Sequence, residues 1–157
     1  TMIDEWHGFS PSRHGEFVSR FWQQRPLVIR GLLSAAELPV ACPLAAADLV
    51  ALACEADASG CARLIRETDG PTAWECQMGP FAAADLAPLL SRVGADDPNW
   101  TLLVRHVCAS VPAVETLRER FNFVPRWRVD DVMVSYAPPG GSVGAHVDNF
   151  DVILLQA

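Results

Sequence analysis

The chain has 157 residues, half of them hydrophobic and a fifth charged, which is enough for one folded domain and excludes disorder. Its 12 basic residues are all arginine, against 19 Asp and Glu, and the net charge of -7 argues against direct nucleic-acid binding, which rests on clustered positive charge. No run approaches the ~20 apolar residues of a membrane span, no basic-then-apolar leader opens the chain, and the five scattered cysteines form no C-x-x-C pair, so a cytoplasmic protein with reduced, packed thiols is expected.

In chain order, Ser10-Pro11 reads as a helix start. Phe17/Phe21 and Val18/Trp22, at i, i+4 spacing, predict a helix over 12–23. Arg25-Pro26 ends it, and Leu27-Val28-Ile29 reads as a short strand closed by Gly31. The Ala- and Leu-rich stretch predicts a helix around 45–56. Cys61 to Glu67 and Ala73 to Met78 read as a hairpin around Asp69-Gly70-Pro71. Phe81 to Leu90 reads as a helix with Leu86, Leu89 and Leu90 as its apolar stripe. Asp96-Asp97-Pro98-Asn99 reads as a turn, Trp100 to Val107 as a strand and Pro112 to Phe121 as a helix. Trp127 to Tyr136, Val143 to Val147 and Val152 to Leu155 are β-branched or apolar runs broken by Pro138-Pro139-Gly140-Gly141, the expected start of a β-rich unit.

The sharpest chemical feature is Gly144-Ala145-His146-Val147-Asp148. On a strand, His146 and Asp148 would share a face with Cα atoms about 6.5 Å apart, close enough for an imidazole nitrogen and a carboxylate oxygen to converge on one ion. His-x-Asp is two thirds of the 2-His-1-carboxylate triad that holds non-haem Fe(II) with positions left open. The tripeptide is common by chance; its weight comes from its place after a tight turn and ahead of an apolar run, where two polar groups need a reason. Upstream, Val132, Val134 and Tyr136 form a packing face. Asp131, Met133 and Ser135 share the other face, which either meets solvent or lines a polar pocket; periodicity does not decide. His7, His14 and His106 are not expected to complete a ligand set. The glycines near Pro139 lack the spacing of a phosphate loop, and no Gly-x-Ser-x-Gly elbow is present.

The stretch Arg128 to Tyr136, followed by Pro139 to Val152, resembles the bacterial cupin-like JmjC ribosomal oxygenases. Phe21-Trp22-Gln23-Gln24-Arg25-Pro26-Leu27-Val28 is similar to that family's N-terminal W-x-x-R-P segment, and Asn99 to Val104 to a further block, in the same order. The resemblance implies an Fe(II)- and 2-oxoglutarate-dependent hydroxylase acting on a ribosomal protein, nearest the arginine hydroxylases. It implies His146 and Asp148 as metal ligands and Ser135 as a 2-oxoglutarate contact. Asp131, Met133 and Phe150 would line the substrate pocket, Asp131 pairing a guanidinium and the two apolar side chains packing its stem, a combination that suits arginine. Phe150 stands where close relatives often carry Tyr.

The expected fold is α+β: a helix-strand portion over 1–98 leading into the first part of a double-stranded β-helix (jelly roll) over 99–157, a single incomplete domain. The resemblance places the second triad His, a basic anchor for 2-oxoglutarate, and the dimerisation and winged-helix parts beyond residue 157. A homodimeric parent is expected, and no turnover from these residues alone. A metal-dependent cupin enzyme that does not use 2-oxoglutarate and a non-catalytic binding module are the alternatives; chelator and co-substrate dependence separate them.

Overall fold

The computed structural model describes residues 3–55, 60–68, 73–91 and 99–156. Among the described residues, two sheets organise the chain. A parallel pair, β1 (Asp4–His7) and β2 (Leu27–Arg30), brackets α1 (His14–Arg20), which follows a 3-10 turn at Pro11–Arg13. The second sheet is antiparallel, in the order β4-β3-β5-β6, with β3 at Ala62–Glu67, β4 at Trp74–Met78, β5 at Trp100–Val104 and β6 at Val134–Tyr136. Helices α2 (Leu38–Ala41) and α3 (Ala46–Cys54) precede it. The helix α4 (Ala83–Ser91) lies between β4 and β5, and α5 (Val107–Ser110) and α6 (Pro112–Glu119) lie between β5 and β6. Among the described residues no helix is long and apolar enough to cross a membrane.

The core lies on one face of the larger sheet. Leu64, Leu102 and Tyr136 stand in register across three strands, and Leu64 and Leu102 pack with Trp100, Val104, Leu49 and Ala53 of α3, Leu86 of α4, and Val107 and Val114. All five residues of β5 are buried, because strands flank it on both sides and both of its faces are covered. The predicted packing face is observed: Val132, Val134 and Tyr136 lie against this core, while Met133 and Ser135 are exposed. The N-terminal pair docks through aromatic contacts. Trp6 meets Phe21 edge-on at 5.1 Å between ring centroids, and Phe9, His14 and Phe17 gather on Phe123, which follows α6.

The predicted helices and the hairpin are present within a few residues of their expected ends. The turns at 69–71 and 96–98 lie outside the described residues. Other expectations are corrected. The strand predicted over Trp100 to Val107 stops at Val104, because His106 takes a left-handed backbone (φ 58°) and starts α5. Of Trp127 to Tyr136 only the last three residues form a strand; Arg126–Arg128 is a 3-10 turn and Val132 turns its carbonyl to the Val107 N–H at the β5–α5 corner. Val143 to Val147 and Val152 to Leu155 form no strand. A strand exists only where a neighbour completes its ladder, and no described strand pairs with either run, so Val147 and Leu154 stay exposed. Conversely, β1 was not expected; its ladder partner β2 lies beyond α1, a pairing that no local pattern reveals.

Two predictions follow from this packing. Leu102→Ala empties the centre of the sheet face and is expected to cost about 2–5 kcal/mol in denaturant unfolding. Ahead of α2, the Ser34 N–H donates to Glu37 at 2.9 Å, the Glu37 N–H donates back to Ser34 Oγ at 3.2 Å, and Arg120 reaches Glu37 at 3.1 Å. The Ser34 backbone N–H first, then its hydroxyl and Arg120, hold the Glu37 carboxyl at about 2, below the ordinary 4.5. A depressed carboxyl stabilises the fold above its unfolded value and loses that contribution as pH falls through the folded one. Glu37→Gln should therefore lower the melting temperature at neutral pH and converge with the parent as pH falls from about 4.5 toward 2.

Candidate metal and ligand site

The segment after β6 carries His146 and Asp148, and two close approaches seat it on the sheet. At Gly141 a Cβ would lie 2.4 Å from the Trp100 carbonyl oxygen. At Gly144, which adopts φ +74°, a Cβ would lie 2.6 Å from the Trp74 indole. Both positions therefore require glycine, by close approach at Gly141 and by close approach and handedness at Gly144. Further along, Gln23 Nε2 donates to Asp151 Oδ2 at 2.8 Å, from a left-handed backbone (φ 58°) at the end of the α1 region. The N-terminal block thus holds the same segment from the other side.

Although the segment is not a strand, the two expected ligands meet. His146 Nε2 lies 3.5 Å from Asp148 Oδ2, with both side chains half exposed. The other ring nitrogen, Nδ1, donates to the Gly144 carbonyl at 2.9 Å. A carbonyl only accepts, so this bond places a proton on Nδ1, and Nε2 is the ring nitrogen turned toward the carboxylate. This is how a metal-binding imidazole is commonly oriented, one nitrogen tied to the backbone and the other presented to the ion. One imidazole nitrogen and one carboxylate are a donor pair that could hold a divalent metal such as Fe(II). No cluster of three or more metal-binding side chains occurs among the described residues. The remaining histidines have other contacts: His7 is 3.6 Å from Glu5, His14 stacks on Phe123, and His106 faces Asp131.

The other predicted site residues surround this pair unequally. Phe150 is exposed between two shallow grooves. One, of about 490 Å³, runs from Asp148 past Asn149 to Gln23, Gln24 and Arg25. The other, of about 480 Å³, runs to Trp22, Trp127, Arg128 and Asp130. Met133 is half exposed. Asp131 is turned to the β5–α5 corner, where Oδ2 accepts the His106 N–H at 3.0 Å and lies 3.1 Å from His106 Nδ1 and 3.4 Å from Arg105 Nε. Each of these contacts is to Oδ2. The neighbouring Asp130 is exposed and lies 3.4 Å from Arg105.

Ser135 belongs to a cross-strand row of mixed character. Directly opposed residues share a face, so Ser135, Leu103, Arg63 and Met78 line up across the four strands, with Thr101, Ile65 and Cys76 in the next row and Trp74 beyond. This is the face opposite the core, and Trp74 receives Gly144 on it. Two side-chain polar atoms among the described residues are buried without a hydrogen-bond partner, Arg63 Nε and Thr101 Oγ1, and both belong to this face. Such atoms cost about 1–3 kcal/mol each when left unpaired. Neither residue has a local signature, because each sits in an ordinary-looking strand; only the strand pairing places them beside Ser135. Gln23 and Trp74 are likewise silent in the sequence.

Comparison with known proteins supplies a context. The family model described as JmjC domain matches residues 116–157. The chain is 34% identical over 142 residues to the ribosomal protein uL16 3-hydroxylase of Escherichia coli K12, covering 90% of this chain and 34% of that protein. It is 35% identical over 140 residues to a probable ribosomal oxygenase of Haemophilus influenzae, covering 89% of this chain and 31% of the other. Among solved structures, it is similar to the E. coli ribosomal oxygenase YcfD in complex with cobalt and 2-oxoglutarate (TM-score 0.63, 29% identity, 85% of this chain and 33% of that one). The same protein with cobalt and succinic acid gives a TM-score of 0.66 at 31% identity, with the same coverage. The chain spans about a third of the length of these relatives.

Gly144→Ala should drive the new methyl group into the Trp74 ring at a backbone angle alanine resists, lowering stability by about 1–3 kcal/mol in thermal or denaturant unfolding. Adding Trp74→Ala should recover the steric part of that loss, because the obstacle is gone.

Proposed function

We propose, for a chain homologous over nine-tenths of its length to JmjC-type ribosomal oxygenases, that these residues serve an Fe(II)- and 2-oxoglutarate-dependent oxygenase that hydroxylates a side chain, arginine by preference, of a ribosomal protein. The observation that carries the reading is the orientation of His146: its Nδ1–H is committed to the Gly144 carbonyl and its Nε2 faces Asp148 at 3.5 Å. A surface histidine beside a surface aspartate needs no such constraint. The cobalt held together with 2-oxoglutarate or succinate in YcfD supports a divalent metal with this co-substrate.

In this reading His146 and Asp148 supply two ligands of a facial triad. The third comes from outside these residues, since the other three histidines are engaged elsewhere. When bound, Fe(II) and 2-oxoglutarate together activate dioxygen for insertion into a C–H bond. The chain's own residues bind and orient. Ser135 offers its hydroxyl to 2-oxoglutarate. Asp131, anchored through Oδ2 by His106 and Arg105, presents Oδ1 to a guanidinium. Met133 and Phe150 flank the alkyl stem, and Phe150 stands at the junction of the two grooves along which the neighbouring residues of a protein substrate would run. Residues 99–156 then form the opening portion of a double-stranded β-helix. Val143 to Val147 and Val152 to Leu155 pair as strands once further chain supplies their ladder partners.

The test is 2-oxoglutarate turnover to succinate by the native gene product with Fe(II), with and without ribosomal protein, monitored beside mass spectrometry of the substrate. Substrate-stimulated turnover with a mass gain of one oxygen is expected, and His146→Ala or Asp148→Ala should reduce it by roughly 10²-fold or more, the loss seen when a metal site is dismantled. Metal binding without 2-oxoglutarate turnover would instead indicate a cupin enzyme of another kind. Indifference to metal and co-substrate alike would leave a binding module.

A further inference from the structure

We propose that Gln23 is a positioning residue for the His146–Asp148 pair: through its hydrogen bond to Asp151 the N-terminal block holds the far end of the ligand segment and raises the affinity of the pair for a divalent cation. This rests on the oxygenase reading and deepens it, because it gives the helix-strand portion of the chain a part in metal binding.

The backbone of Gln23 is unusual. Its φ of 58° lies in the left-handed region, which glycine and asparagine enter more readily than glutamine. The turn it belongs to is closed by main-chain bonds, the Gln24 and Arg25 N–H groups both donating to the Phe21 carbonyl. Glycine would serve such a turn better if the backbone were all that mattered. The glutamine side chain has another use: its Nε2 donates to Asp151 Oδ2 at 2.8 Å, across 128 positions of sequence. The platform beneath it is firm. Phe21 is 3% exposed and meets Trp6 edge-on, and Arg25 lies over the Phe21 ring and 3.2 Å from Asp4.

What Gln23 holds is the end of the ligand segment that no described strand supports. His146 and Asp148 stand between two attachments. On the near side, the Gly141 backbone lies against the Trp100 carbonyl and the Gly144 backbone against Trp74. On the far side, Gln23 supplies the attachment at Asp151. Asp148 and Asp151 line one groove of about 490 Å³ together with Gln23, Gln24 and Arg25, so the contact is made on the side of the segment that carries the ligand carboxylate. His146 is tied to the Gly144 carbonyl. Asp148 lies nearer the Gln23 end, and its direction follows the backbone between the two attachments. Two ligands bind a cation more tightly when their geometry is set before the cation arrives, because less freedom is lost on binding. Loss of the Gln23 contact frees one end of the segment and returns that cost.

The test is the Co(II) affinity of the native gene product, measured by titration calorimetry, with the metal-free melting temperature measured beside it. Gln23→Gly removes the donor, leaves the net charge unchanged and suits the left-handed backbone. It is expected to weaken Co(II) binding roughly threefold to tenfold while the melting temperature stays unchanged or rises. A residue with only a structural role would do the reverse, lowering the melting temperature and sparing the affinity. Reversing the bond supplies the rescue. With Gln23→Glu and Asp151→Asn combined, the amide at 151 donates to the carboxylate at 23, with the same shape and net charge as the parent pair. Its Co(II) affinity should return to within about twofold of the parent. Parental affinity in Gln23→Gly overturns the proposal and leaves the oxygenase reading standing. Weakened binding that the reversed pair does not recover also overturns it, since the hydrogen bond is then not the cause. If the parent itself binds no Co(II), the proposal and the oxygenase reading fall together.

Discussion

The larger sheet and the core it carries are built around β5. Its five residues are buried on both faces, with β3 and β6 completing its ladders. One face, through Trp100, Leu102 and Val104, fixes the helices α3 and α4 and the core. The other, through Thr101 and Leu103, sets the row that joins Arg63 to Ser135. Because side chains alternate strictly along a strand, the division between the core face and the opposite face is made within a single stretch of five residues. A slip of one residue in the pairing would exchange the two faces and destroy both.

The candidate metal ligands depend on that sheet without belonging to it. Their segment has no ladder partner among the described residues, and it is held by contacts of a different kind: the Gly144 backbone against Trp74, the Gly141 backbone against the Trp100 carbonyl, and the hydrogen bond from Gln23 to Asp151. The N-terminal block therefore contributes to the site through Gln23 and the groove beside Arg25. Its own anchorage is aromatic, from Trp6, Phe9, Phe17 and Phe21 onto each other and onto Phe123. The site is thus a meeting of three parts of the chain, and a change in any one would reach His146 and Asp148 through packing.

Charge is distributed in keeping with this. The surface is acidic, yet the arginines near the site are individually engaged: Arg25 lies over the Phe21 ring and beside Asp4, Arg105 lies between Asp130 and Asp131, and Arg128 lies over Trp127. Asp131 shows what such engagement achieves. One of its oxygens is fixed by the chain, through the His106 N–H and the neighbouring Arg105, which holds the carboxylate in one orientation. Arg63 is the exception, with a buried nitrogen and no carboxylate partner among the described residues.

Local patterns were enough for much of the fold. The i, i+4 spacing of Phe17 and Phe21, the Arg25-Pro26 stop, the Leu86 stripe and the paired runs on either side of 69–72 specify helices and strands, because the forces behind them act between near neighbours in sequence. The His-x-Asp pair was legible for the same reason: two residues apart, the side chains meet at 3.5 Å even though the expected strand is absent. The packing face of Val132, Val134 and Tyr136 was legible from alternation, whereas alternation left the role of Asp131, Met133 and Ser135 open. What only the tertiary structure decided is everything that requires a distant partner. It decided that β1 pairs with β2, and that Val143 to Val147 has no ladder among the described residues. It decided that Asp131 is turned to His106, and that Arg63, Thr101 and Ser135 share one face. A strand's neighbours are chosen by hydrogen bonds and burial between segments tens of residues apart, and no window of the sequence contains both sides of that choice.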